Sequence, residues 1–450
     1  MISTTDQRTM TILDLPGATP DDVAFPPWLA TMRRAAATRF AELGLPARND
    51  EEWRHTSLRS LQSTPLVPAG GTASSLDAGV VNAAALPGLT GPRLVFVDGV
   101  LSADLSSLDA LPAGLTVLPL SEAAARHETL VREHFGVLAD GAREAFTSLN
   151  TACLGEGTFV HVARGVDITE PILVLAIATG RAATATHPRL LLIAEESSRA
   201  SVVEDYVSLG HVPHLTNIVT EIFVGANAHV QHAMAVRETD EAFNISTLKV
   251  RQERDSYFAS HSALFGGALV RNQVNPVLVG TGGHSLLNGL YLPRGRQHHD
   301  SHMRVEHQAP NCESRQYYAG ILQDHAHGVF SGRIVVSQIA QKTDAIQQNR
   351  NLLLSKDAQA NTKPQLEIYA DDVRCTHGAT IGELDEEALF YLRSRCLSEE
   401  AARGLLVYAF AREGLERIEL APLRDALTNL LVEQLPYRGL LDSFVGDEAG

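Results

Sequence analysis

Residues Gln338–Gly382 read QIAQKTDAIQQNRNLLLSKDAQANTKPQLEIYADDVRCTHGATIG, and their reading decides the fold. Leu366, Ile368 and Ala370 alternate with Gln365, Glu367 and Tyr369, the period-2 pattern of a strand with one buried face. Asp371-Asp372 form a turn-prone pair, after which Val373, Cys375 and His377 share one parity. The thiol and the imidazole are therefore expected on the same face of a short strand. Two soft donors side by side suit a metal or sulfur. Spacing alone favours a plainer account, a small buried thiol and a surface imidazole.

Working upstream, short apolar segments follow one another from Thr158 at intervals of about a dozen residues: Phe159–Val162, Ile172–Ala178, Leu190–Ile193, and so on to Leu352–Leu354. Gly, Asn and Asp punctuate them, as at Gly225-Ala226-Asn227 and Gly280-Thr281-Gly282-Gly283. No helical stripe persists here. A sandwich, a barrel and a stacked solenoid all fit this pattern, and no fixed-length repeat chooses among them.

The two ends are helical. Trp28, Met32, Ala36, Phe40 and Leu43 mark one stripe between Pro27 and Gly44, and Glu51 to Leu61 reads as a second short helix whose Trp53 is a packing anchor. Ser63 to Pro92, rich in Ala, Gly, Ser and Pro, reads as a loose connection. Strands are expected at Leu94–Val97 and Val117–Leu120. Helices follow from Ser121, as N-cap, towards Phe135, and from Arg143 to Cys153. Beyond Gly382, Asp385 and Ser398 cap two helices, and Pro422 opens a third that Pro436 ends. These three could simply cap the open end of a rod.

Composition narrows the function. The chain has 450 residues, 37 basic against 53 acidic, and a net charge of −16, which disfavours nucleic acid and anionic membrane as partners. Met1 to Leu13 lacks a secretory pattern, and no apolar run approaches the roughly 20 residues that span a bilayer, so a cytoplasmic location is expected. Cysteines 153, 312, 375 and 396 form no Cys-x-x-Cys pair. There is no phosphate-binding P-loop. Seven of the 18 histidines lie between His284 and His327, among them His325 and His327. A metal-dependent β-helix or cupin-like enzyme built on that cluster is the alternative reading. It is weakened because on a strand His302 and Glu306 stand about 13 Å apart, too far for one metal.

The run Ala340-Gln341-Lys342-Thr343-Asp344, then Asn349, Leu352–Ser355, Asn361–Val373, Cys375 and His377-Gly378-Ala379-Thr380 resembles the SufB/SufD family of iron–sulfur cluster assembly proteins. The Cys-x-His-Gly-Ala-Thr ending and Phe390–Arg395 resemble its SufD branch. Weaker likeness extends to Glu52-Trp53-Arg54, Thr56-Ser57-Leu58, Phe96–Gly99 and Leu149–Ala152.

The resemblance implies a mainly β chain, with a right-handed parallel β-helix at 156–382, a mostly helical region at 1–155 and a C-terminal helical domain at 383–450. Flat faces of such a rod can pair with another rod. It further implies a non-catalytic scaffold subunit that pairs with a SufB-like paralogue, or with itself when that paralogue is absent, and docks a SufC-like ABC ATPase on the helices within Asp385–Gly414. His377 is then the first candidate to ligate iron or a cluster and Cys375 the second. The cluster is held transiently in the complex, a flavin is allowed for there, and nothing is expected to bind the isolated chain tightly. Where the family commonly has Gly, this chain has Cys396, which leaves the helix break there undefined.

Overall fold

The structure, a computed structural model, describes residues 10–17, 25–71, 74–108 and 111–435. Pro436 lies outside them. From Thr158 onward, strands go alternately to two sheets. In the first sheet Leu215–Val224 pairs in parallel with Phe243–Gln252, and Leu269–Leu278, His298–His307, His327–Val336 and Gln359–Ile368 stack after it. The strands between them, from His229–Arg237 to Arg374–Gly382, build the second sheet in the same way. The chain is thus a parallel β-solenoid of about eight turns with helices towards both ends.

The alternation read from the sequence has its cause here. Inward residues of both sheets, among them Val224, Val230, Met303, Val305 and Phe330, form one core, while outward positions face covering helices or solvent. Turn length varies: Phe243 pairs with Leu269, 26 residues on, but His327 with Gln359, 32 on. Insertions at the corners absorb the difference, which is why no fixed repeat shows in the sequence.

The corner from the first sheet to the second holds one residue per turn at positive φ: Ser197, Asn227, Asp255, Gly282, Asn311 and Lys342. Each donates its backbone N–H to the same corner one turn on: Ser197 to Ala226 (2.8 Å), Asn227 to Arg254 (2.8 Å), Asp255 to Thr281 (2.8 Å), Asn311 to Gln341 (2.9 Å). Gly, Asn and Asp suit this left-handed conformation. Lys342 does not.

Helices cover the flat faces. Pro27–Leu43 and Ala145–Ala152 bury Phe40, Phe146 and Leu149 against Leu215, Phe243, Ile245 and Leu269 of the first sheet. Glu399–Leu415 and Ala421–Gln434 bury Val407, Ala411, Leu415 and Leu427 against Leu290, Ala319 and Ile321 of the second. The C-terminal helices therefore flank the rod and do not cap it. Asp385 and Ser398 accept backbone N–H groups as the sequence predicts, from Glu387 and Ala388 and from Ala401.

Several local expectations change. Glu51 to Leu61 is a 3-10 turn, Glu51–Trp53, followed by a helix at Arg59–Ser63. The helix expected from Ser121 breaks at His127 into Leu120–Arg126 and Glu128–His134, and the Ser121 hydroxyl donates to Glu156 instead of capping. The supposed loose connection holds a short strand, Val67–Pro68, paired with Thr184 and Ala185. It also holds a helix, Ala78–Ala84, whose Val81 packs on Leu175 and Ile177.

Two buried ion pairs pin the N-terminal region to the first sheet. Arg189 pairs with Glu221, whose carboxylate also accepts N–H groups from Gly136 (2.9 Å), Leu138 (3.0 Å) and Ala139 (3.0 Å), and the guanidinium lies over Phe135. Arg271 pairs with Asp300 and lies 3.9 Å from the Trp53 ring, which in turn stacks on Phe146. Trp53 is the packing anchor expected of it.

Lys342→Asn should stabilise the chain by about 1 kcal/mol and Asn227→Val should destabilise it by about 1–2 kcal/mol, read by chemical denaturation. Equal stability of wild type and both variants would remove the corner argument. Arg271→Met, which leaves Asp300 buried without its guanidinium partner, should cost about 3 kcal/mol or more in the same assay.

Candidate functional site

The solenoid is closed at one end and open at the other. At the N-terminal end antiparallel strands finish each sheet, Leu115–Pro119 on the first and the hairpin Arg93–Val97/Val100–Leu101 on the second. At the C-terminal end the sheets stop at Gln359–Ile368 and Arg374–Gly382, and among the described residues nothing pairs with their outer edges. Burial falls away along these two strands. Ile368, Tyr369 and Ile381 are exposed large apolar side chains on this last turn, Tyr369 at 63%.

Both candidate ligands sit on that final turn. Cys375 pairs in register with Ala345 and His377 with Gln347. Two residues apart on one strand, they share a face about 7 Å apart, as their parity predicts. Cys375 is half-buried against a cluster containing Ile334, Val336, Ala345 and Ala370. Burial, helped by the Asp344 carboxylate and opposed by the Ala345 backbone, pushes its thiol above the ordinary range. His377 is exposed, because no further turn covers it. The arrangement offers a free imidazole at the rim and a thiol just behind it that ligates only after losing its proton.

The histidine cluster is put to another use. His298 and His327 occupy paired positions on adjacent turns, with Nδ1 atoms 3.1 Å apart. Thr56 lies 2.9 Å from His298 Nε2 and donates to Asp300, while His327 Nε2 lies 2.6 Å from the Asn361 side-chain Oδ1. Burial, reinforced by His327 and Arg271, pushes His298 down to about 4. Burial alone would raise the Asp300 carboxyl, but His302 and Arg271 outweigh it and hold the group well below the usual range. This polar ladder ties the segment after Trp53 to three consecutive turns. His325 is exposed, with Asp357 at 3.8 Å, and does not share a partner with His327. Among the described residues no three His, Cys, Asp or Glu side chains converge to hold a metal ion.

A second exposed patch lies on the helix Glu386–Ser394. Its Leu389 is buried, while Phe390 (75%) and Tyr391 (57%) face outward beside Glu386 and Glu387. In the sequence this pair entered only as part of the Phe390–Arg395 resemblance, with no individual docking residue named. Adjacent aromatics following the one buried leucine were the available signal, since positions i and i+1 cannot both reach the core face that Leu389 defines. Cys396 adopts φ 69 directly after this helix, so the break falls where Gly commonly stands and the thiol is exposed.

The SUF system FeS cluster assembly SufBD core domain matches residues 176–410, and the SufBD protein N-terminal region matches residues 23–174. The chain belongs to the SufBD family. It is 34% identical over 397 residues to the iron–sulfur cluster assembly protein SufD of Escherichia coli, covering 87% of this chain and 90% of that one. A SufBD family protein of Synechocystis is 34% identical over 408 residues, 89% of each chain, and SufD of Bacillus subtilis 26% over 325 residues, 71% of this chain and 73% of that one. As a SufBD protein the chain has a role in iron–sulfur cluster assembly. The core match takes in the open end, Cys375 and His377.

A raised thiol pKa means less thiolate at a given pH, and Cys375 is also partly covered. Near neutral pH, iodoacetamide should therefore label Cys396 before Cys375, with Cys153 and Cys312 last. Peptide mass spectrometry against time checks the order, and Cys375 reacting first would contradict the burial described here.

Proposed function

We propose that this chain is a non-catalytic, SufD-like scaffold subunit that joins a SufB-like paralogue through the open end of its solenoid. The observation that carries this reading is the contrast between the faces and the end. Both flat faces carry packed helices, whereas the last turn leaves two strand edges unpaired beside exposed Tyr369 and Ile381. An exposed edge is a template for another strand, and a second solenoid would extend both sheets. The end, not a flat face, is the pairing surface. When the paralogue is absent, two copies of this chain would use it.

A SufC-like ATPase would dock on the helices within Asp385–Gly414, where Phe390 and Tyr391 already lie bare. His377 and Cys375 then face the joint between the two solenoids. Iron or a nascent cluster is the cargo there, with the His377 imidazole as first ligand and the Cys375 thiolate as second. This chain's residues contribute ligation and placement, while the ATPase supplies the motion. The chain works in the cytoplasm. None of its described helices is long and apolar enough to cross a membrane.

An N-terminally tagged chain purified from its own cells should bring down a P-loop ATPase and a second, cysteine-bearing β-solenoid, both identified by mass spectrometry. Recovery of the chain alone with stoichiometric metal would overturn the scaffold reading. Within the recovered complex, His377→Ala should lower cluster formation, followed by visible absorbance, about tenfold or more while leaving the subunits associated. Undiminished cluster formation would take the ligand role from His377.

A further inference from the structure

Where the N-terminal region closes the first turn of the solenoid it leaves a cleft of about 250 Å³. Phe96, Val100, Leu101 and Ile177 wall it with apolar surface, and Gly155 lies at its side. Polar side chains also line it, among them His187, Glu238, Glu156, Thr186 and Thr216. None belongs to the open end described above, some seven turns away along the rod.

The proton of His187 can be placed. The Asn217 side-chain amide donates to the Phe146 carbonyl at 2.9 Å, which fixes its orientation, and the same nitrogen lies 3.3 Å from His187 Nδ1. Nδ1 is therefore an acceptor and Nε2 carries the hydrogen. Among the described residues that N–H has no acceptor, although His187 is only 8% exposed. Burial pushes the imidazole down to about 3, so it is a neutral donor throughout the physiological range. Across the same cleft Glu238 accepts from Thr216 and, at 3.1 Å, lies beside His214 Nε2 through one oxygen, and accepts from Asn244 at 2.6 Å through the other. The second oxygen keeps a lone pair to offer. The N–H faces the cleft, where a ligand carbonyl would accept from it in place of water.

Size limits the occupant. An apolar cavity of about 150 Å³ accepts benzene, so this one suits two fused rings. We propose that the cleft binds a flat bicyclic heteroaromatic bearing a carbonyl, which accepts from His187 Nε2, and an N–H, which donates to Glu238.

Quinazolin-4-one has that shape and both groups, and serves as the probe. Added to the purified full chain, it should bind saturably at about millimolar concentration or tighter in ligand-observed NMR and calorimetry. A crystal soak should place it between Phe96 and His187. A Cβ at Gly155 would meet nothing within 4 Å, so Gly155→Phe should fill the cleft and abolish binding without lowering the melting temperature. His187→Phe keeps the ring and loses the donor, and should weaken binding about tenfold. The proposal falls if the wild type shows no saturable binding, if Gly155→Phe binds as well as wild type, or if the soak locates the probe elsewhere.

Discussion

The backbone N–H of Asn227 reaches the carbonyl of Arg254, that of Asp255 the carbonyl of Thr281, and that of Asn311 the carbonyl of Gln341, each from a residue held at positive φ. These contacts recur once per turn at the same corner. They fix where the chain leaves one sheet and joins the other, and so they fix register. In a strand with period-2 side chains, a slip of one residue would exchange inside for outside along the whole turn. Val305 and Phe330 would leave the core, and Asp300 would enter it without Arg271. The same register sets Cys375 against Ala345 and His377 against Gln347, which aims both at the end of the rod.

Given that rod, its surfaces divide by what lies on them. Ion pairs buried beside aromatic rings, Arg189 with Glu221 and Arg271 with Asp300, seat the N-terminal region on the first sheet. Taking these charges out of water costs several kcal/mol each, so they are poor devices for stability alone. Their directional hydrogen bonds instead restrict how the helices can sit, as the three N–H groups gathered on Glu221 show. Apolar packing over a broad area holds the C-terminal helices to the second sheet, joined by polar contacts such as Asn288 donating to the Gly414 carbonyl at 2.6 Å and Arg350 pairing with Glu413. With both faces occupied, the longest strand edges left without a partner among the described residues are those of the final turn, Gln359–Ile368 and Arg374–Gly382. A long unpaired edge invites strand addition, and here polar Lys363, Glu367 and Arg374 and the N–H-less Pro364 limit unspecific pairing.

Much of this was legible in the sequence, for reasons that can be named. Parity identified the strands because each has one face in a dry core and one towards helix or solvent. Caps at Asp385 and Ser398 were legible because they act within three residues. The solenoid itself was not readable from spacing, since its turns run from 26 to 32 residues, and the family resemblance supplied it. A repeat was present all the same, in the Ser, Asn, Asp and Gly residues at one corner, but Lys342 breaks the composition while keeping the conformation. Ser63 to Pro92 looked loose because Ala and Gly carry little periodicity. Val67 and Val81 nonetheless find partners more than 90 residues away, which no local pattern encodes. For the site, parity put Cys375 and His377 on one face, but their opposite burial depends on being in the last turn, a property of the stack.

The two histidine groups show how the fold, and not the residue type, assigns chemistry. His298 and His327 are in interior turns, where a neighbouring turn on each side brings another side chain within reach. His298 lies between Thr56 and His327, and His327 between His298 and Asn361. An imidazole with both nitrogens engaged has no lone pair to give a metal without breaking the ladder that holds the Trp53 segment in place. His377 has one neighbouring turn only, and among the described residues its side chain forms no hydrogen bond or ion pair. Stacking thus engages both nitrogens of His298 and His327, while the end of the stack leaves His377 without such neighbours. On the terminal turn the surface that leaves His377 free is also the surface open to a partner. Under the proposed pairing, a second solenoid joined there would enclose the imidazole and exclude water, so that cargo binding and subunit pairing would be one event at one place.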